Sequence, residues 1–98
     1  MKINKIAEGS KLIVLLEGRL DTSTAPQLDS EMAGALDGVK ELVLDLKDLA
    51  YLSSAGLRSI LTVQKKMNRQ GSMLVRNVCD TIMEVFEITG FADILTIE

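Results

Sequence analysis

Histidine is absent from this chain of 98 residues, and cysteine appears once, as Cys79. Without an imidazole there is no Ser-His or Cys-His pair to drive nucleophilic catalysis. Most zinc, haem and iron–sulfur schemes fall with it, and one thiol leaves no internal disulfide. Cys79 reads as a small apolar filler or an inert surface thiol. Aromatic residues make up 3% of the chain, one Tyr and two Phe with no Trp, which argues against a platform for stacking bases or sugars. The longest uninterrupted apolar run, Leu12 to Leu16, is far short of a membrane span. The opening MKINKIAEGSK lacks the apolar core of a signal peptide. Basic residues are outnumbered, 11 against 14 acidic, for a net charge of −3. Nucleic-acid binding by phosphate neutralisation therefore has no support, and Lys65, Lys66 and Arg69 read as the solvated face of a helix. What these absences leave is a cytoplasmic protein with neither nucleic acid nor membrane as partner. A lone thiol suits that reducing compartment.

What the chain has in quantity is aliphatic, with 47% of its residues apolar. Lys2 to Ala7 alternates as an edge strand does, and Glu8-Gly9-Ser10 signals a turn into a second strand, Lys11 to Gly18. Thr24 with Gln27 three residues later has the pattern of a capping box, and Pro26 suits the first helical turn. Ala25, Leu28, Met32, Ala35 and Leu36 then share a helical face, ended by Gly38. Leu42 to Leu46 predicts a buried central strand closed by the polar break Lys47-Asp48. After Tyr51-Leu52, Ser53-Ser54-Ala55-Gly56 opens a second helix with Leu57, Ile60, Leu61 and Met67 on one side. It runs to about Arg69, and Gln70-Gly71 is a stop with Gly71 in the left-handed position. Ser72 to Arg76 reads as a short strand. Asn77 to Asp80 opens a third helix with Ile82, Val85 and Phe86 inward, Thr89-Gly90 ends it, and Ile94 to Ile97 reads as a last strand. Strands alternating with helices predict an α/β fold: a mixed, mostly parallel β-sheet covered by α-helices, with an antiparallel strand at its start.

The two adjacent serines hold the most informative chemistry. One reading is capping, since Ser is a preferred N-cap. One cap suffices, however, and Gly56 in the first turn costs up to ~1 kcal/mol against Ala, while leaving room for a close approach to the backbone. A hydrolase nucleophile is a second reading, but the first Gly of a G-x-S-x-G elbow is replaced by Leu52 and no His exists to take the proton. No S-x-x-K spacing follows either serine. The third reading is a phosphoacceptor. Unpaired N–H groups and the helix dipole favour a phosphate at a helix start. The free domain tolerates that charge, whereas a partner docked over it meets repulsion.

Gly18-Arg19-Leu20-Asp21, Leu44-Asp45-Leu46, Tyr51-Leu52-Ser53-Ser54-Ala55-Gly56-Leu57, Asn77-Val78 and Thr89-Gly90-Phe91 together resemble the STAS-domain anti-anti-sigma factors of bacteria. The resemblance covers nearly the whole chain and implies one STAS domain over residues 1–98. It implies an anti-sigma-factor antagonist and no enzyme. The implied partner is an anti-sigma factor that is also an ATP-dependent serine kinase, so the chain itself needs no cofactor and no metal, and ATP belongs to the partner. A PP2C-type phosphatase would reverse the modification. Mapped on the motif, the phosphoacceptor is Ser54. Many members carry Asp where this chain has Ser53, which leaves Ser53 as an alternative acceptor. Asp21, Thr22, Ser23, Ser53, Ala55, Gly56 and Arg58 would form the partner-binding surface. Such domains also serve as scaffold or accessory subunits of sensory or transport complexes without a sigma-factor partner. A receiver-like phosphotransfer role for Asp45 lacks the set of acids around a metal that it would need.

Overall fold

The computed structural model describes residues 1–98. Strand β1 (Lys2–Glu8) turns through Gly9-Ser10 into β2 (Lys11–Leu20). Glu8 faces Lys11 across a two-residue loop with Gly9 at φ 62, a conformation that costs glycine little. Helix α1 (Ala25–Ala35) leads to β3 (Glu41–Leu52), α2 (Ser54–Gln70) to β4 (Ser72–Arg76), and α3 (Asp80–Thr89) to a single 3-10 turn, Phe91–Asp93. The sheet order is β1-β2-β3-β4, antiparallel between β1 and β2 and parallel thereafter. The mixed, mostly parallel sheet is thus the one expected, with its antiparallel strand at the edge.

Alternation decides which face is covered. Leu12, Leu42 and Met73 lie side by side in register, as do Val14, Leu44 and Val75. All six are buried, and they join Leu28, Met32 and Leu36, Leu57, Ile60 and Met67, and Ile82 and Phe86 in one cluster of 23 buried residues. One residue along each strand, Ile6, Ile13, Val43 and Leu74 form a row on the opposite face, and Val43 stays outside that cluster. Fully burying a side chain such as Leu or Phe contributes ~1.5–3 kcal/mol, so a core almost free of aromatics still anchors three helices.

Four local expectations are corrected. The polar pair Lys47-Asp48 does not end β3, which continues to Leu52. The strand absorbs the interruption as extra residues: Leu15 faces Asp45 but Glu17 faces Asp48, and Gly18 faces Leu49 but Arg19 faces Tyr51. Such bulges re-aim the strand end without breaking the pairing, and β2 keeps pace as far as Leu20. Ile94 to Ile97 is no strand. It makes one parallel bridge, Val75 to Ile97. Gly71 is not left-handed, since its φ is 177. Glycine is needed there because a Cβ would lie 1.9 Å from the Lys40 carbonyl oxygen. The capping box of α1 does not form. The Thr24 hydroxyl donates to the Arg19 carbonyl and accepts from the Asp21 N–H, so it serves the preceding loop.

The candidate switch site at the start of helix α2

The end of β3 runs directly into α2. Ser53 has extended backbone angles, φ −97 and ψ 174, and its Oγ accepts a hydrogen bond from the Gly56 N–H at 3.2 Å. It is the N-cap. Its own N–H donates to the Leu20 carbonyl at 2.9 Å, tying the helix start to the end of β2. Ser54 is the first helical residue and is exposed. The structure therefore divides the pair: one hydroxyl closes the helix, and the other faces solvent among the unpaired N–H groups of the first turn.

Gly56 lies beneath this surface. A Cβ there would stand 2.7 Å from Leu20 Cγ, 2.9 Å from the Leu20 oxygen and 2.9 Å from Leu52 Cδ1. The room expected for an approaching molecule is filled by the chain's own strand ends. Ala55 is half-buried, and Arg58 is exposed. Arg58 and Ala55 border a shallow groove with Thr22, Ala25, Pro26 and Asp29 of the α1 side.

Register brings the second loop alongside. Leu20 faces Leu52, so Asp21 and Ser53 each follow a member of one strand pair. Asp21 Oδ1 accepts from the Ser23 hydroxyl at 2.7 Å, the Ser23 N–H at 2.9 Å and the Thr24 N–H at 3.1 Å. These bonds, the Ser23 hydroxyl first, hold its carboxyl below the usual range. Asp21 and Ser23 are thus one rigid corner rather than two independent contacts, while Thr22 is exposed between them. The sequence set Tyr51 just ahead of the serines but gave it no role. The guanidinium of Arg19 lies 4.2 Å from the Tyr51 ring centroid, and Arg19 Nε lies 3.7 Å from Asp21 Oδ2. The stack depends on the second bulge, which sets Arg19 opposite Tyr51.

Asp45 is used elsewhere. It is 4% exposed, and its oxygens accept from the Lys47 N–H at 3.0 Å, Arg76 Nε at 3.0 Å and the Asn77 amide at 3.1 and 3.2 Å. Burial pushes its carboxyl up, yet these donors outweigh it and the net shift is downward. Asn77 has φ 57, a left-handed conformation that asparagine tolerates better than most residues. The carboxylate ties β3 to the turn before α3, and no group of three potential metal-ligating side chains occurs around it or elsewhere.

A mixed four-stranded sheet with an exposed serine at the first turn of its central helix defines a class of domain, and the comparisons name it. The STAS domain profile matches residues 2–98, and the chain belongs to the STAS-domain family. It is similar to the proposed anti-sigma factor antagonist BtrV of Bordetella bronchiseptica, 38% identical over 99% of this chain and 85% of that one. It is also similar to the anti-sigma-B factor antagonist of Bacillus subtilis, 31% identical over 86% of this chain and 78% of that one. The fold matches the Bacillus cell fate determinant SpoIIAA in its phosphorylated form, with a TM-score of 0.76 at 17% identity over 99% of this chain and 91% of the other. No helix of the chain is long and apolar enough to cross a membrane.

Proposed function

We propose that this chain is an anti-sigma-factor antagonist, a regulator that works by binding and not by catalysis, and that phosphorylation of Ser54 ends the binding. The observation that carries this reading is the division of labour between the serines. Ser53 Oγ is committed to the Gly56 N–H, so Ser54 can be modified without uncapping the helix. A phosphate there would meet first-turn N–H groups and the positive end of the helix dipole. It would bring about −1.5 to −2 charges to the loop surface around Asp21, where a docked partner would meet it. Identity to curated antagonists over most of the chain supports the same reading. The partner is an anti-sigma factor with serine-kinase activity that supplies its own ATP, and a PP2C-type phosphatase restores the free hydroxyl.

The test is incubation with the anti-sigma kinase of the same host and ATP, followed by peptide mass spectrometry. Phosphate on Ser54, lost in Ser54→Ala and kept in Ser53→Ala, is the expected result. Phosphate confined to Ser53, or found only outside residues 53–54, would overturn the assignment.

A further inference from the structure

Helix α2 is electrostatically unlike the rest of the molecule. It holds Arg58, Lys65, Lys66 and Arg69, four of the 11 basic residues, and no acidic residue. Removing these four from the net charge of −3 leaves −7 on the rest of the chain. The three ion pairs of the structure, Lys5–Glu31, Arg19–Asp21 and Arg76–Asp45, use none of them. Arg58, Lys65 and Arg69 are exposed, as is Ser54. Spacings of four, seven and four residues place Ser54, Arg58, Lys65 and Arg69 along one stripe of the helix, roughly 22 Å from end to end.

Stability accounts for the C-terminal part of this pattern. Lys65, Lys66 and Arg69 lie toward the C-terminal end, where cations complement the helix dipole. Arg58 lies near the positive end, where a cation is disfavoured, and it has no acidic neighbour on its own helix. It stands one turn from Ser54, at the spacing where side chains of opposite charge meet.

We propose that this stripe docks an acidic surface of the anti-sigma factor, and that phosphate on Ser54 competes with that surface for Arg58. The inference rests on the reading of Ser54 given above and adds the chemistry of the partner. Before modification, Arg58 is an unpaired cation at the head of the stripe. After it, the phosphate pairs with Arg58 within the chain and sets negative charge against an incoming acidic face. An acidic protein patch suits the stripe better than a nucleic acid or an anionic membrane. Those polyanions extend past a single helix and would meet the net negative remainder of the molecule.

The test measures binding of the purified host anti-sigma factor to the full chain, to Lys65→Glu/Arg69→Glu, to Arg58→Ala and to Ser54→Asp, at low and high salt. Lys65→Gln/Arg69→Gln replaces the reversal if that variant melts early. Duplex DNA and phosphatidylglycerol vesicles are parallel probes. The expected result is about tenfold weaker binding for the charge-reversed pair at low salt, a flatter salt dependence than the wild type, and weaker binding for Arg58→Ala. Wild-type affinity and salt slope in both the Lys65/Arg69 variant and Arg58→Ala, with Ser54→Asp still blocked, would overturn the stripe and spare the Ser54 reading. Binding lost in the stripe variants but untouched by Ser54→Asp would spare the docking stripe and overturn both the Ser54 reading and the competition for Arg58. DNA or vesicle binding that depends on Lys65 and Arg69, with no such dependence for the anti-sigma factor, would overturn the choice of partner.

Discussion

Two neighbouring serines separate by role because only one of them sits outside the helix. Ser53, in extended conformation, can turn its Oγ back to the Gly56 N–H, whereas Ser54 is already in the helical turn. Ser53→Ala should therefore lower stability by ~1 kcal/mol, a fall of about 4–8 °C in melting temperature for a domain of this size. Ser54→Ala should stay within about 0.5 kcal/mol of wild type. Thermal melts of the two variants side by side check this, and equal losses would mean the hydroxyls share the cap. Asp21 and Asp45 supply a second prediction. Both ionise more readily in the folded chain than when free. Their contribution is therefore complete above the unfolded value of about 4 and drains away as the pH falls through their lower folded values. Denaturant midpoints measured from pH 6 down to pH 2 should fall in that window. In Asp45→Asn the acid-induced loss should shrink, because the buried carboxylate with its Arg76 and Asn77 donors is gone. An unchanged acid limb would remove Asp45 from the account. Ser53-Ser54 at a helix start was legible in the sequence from residue type and position. The Asp45–Arg76–Asn77 knot was not, since Asp45 lies 31 and 32 positions from its two donors and meets them only through the β3–β4 register.

Between elements, the backbone of α2 at Gly56 sits directly against the Leu20 and Leu52 side chains and the Leu20 carbonyl. Helix α2 comes so near the ends of β2 and β3 that any side chain at position 56 meets Leu20 and Leu52 below 3.0 Å. Gly56→Ala should destabilise by about 1–3 kcal/mol, although alanine is the better helix former by ~1 kcal/mol. A gain in stability in chemical denaturation would show that the strand ends can yield. Helices and strands were legible wherever periodicity was long, as in Lys11 to Leu16 and Leu57 to Met67. The path of β3 was not. A polar Lys47-Asp48 looks like a chain break to any local pattern, but parallel pairing with β2 carries it through as a bulge. That bulge and the next one set Arg19 over Tyr51 and Asp21 beside Ser53, so the adjacency of loop and helix was expected only through the family resemblance, and the bulged register that produces it was not readable from local pattern. The final segment misled in the opposite sense. Its apolar residues resemble a strand, but Ile94 keeps helical angles and the Ile94 and Leu95 N–H groups both donate to the Phe91 carbonyl, so one bridge at Val75 is all that forms.

For the molecule as a whole, the separation of charge matters more than its total. A net −3 hides a helix of unpaired cations on an otherwise acidic body, and the exposed Ser54 stands at the head of that helix. The hydrogen bonds around it are made within the chain: the cap, the Asp21 corner and the β2–β3 pairing. Modification of Ser54 should therefore change what binds without changing what is folded. Circular dichroism and melting temperature of Ser54→Asp should match the wild type to within a few degrees, consistent with an exposed substitution. The most direct measurement is the affinity of the host anti-sigma factor for the unmodified chain and for the chain phosphorylated at Ser54, under identical salt. The affinity should fall by about a hundredfold or more on phosphorylation, as like charges forced together across an interface cost several kcal/mol. Equal affinity for the two forms would contradict the account.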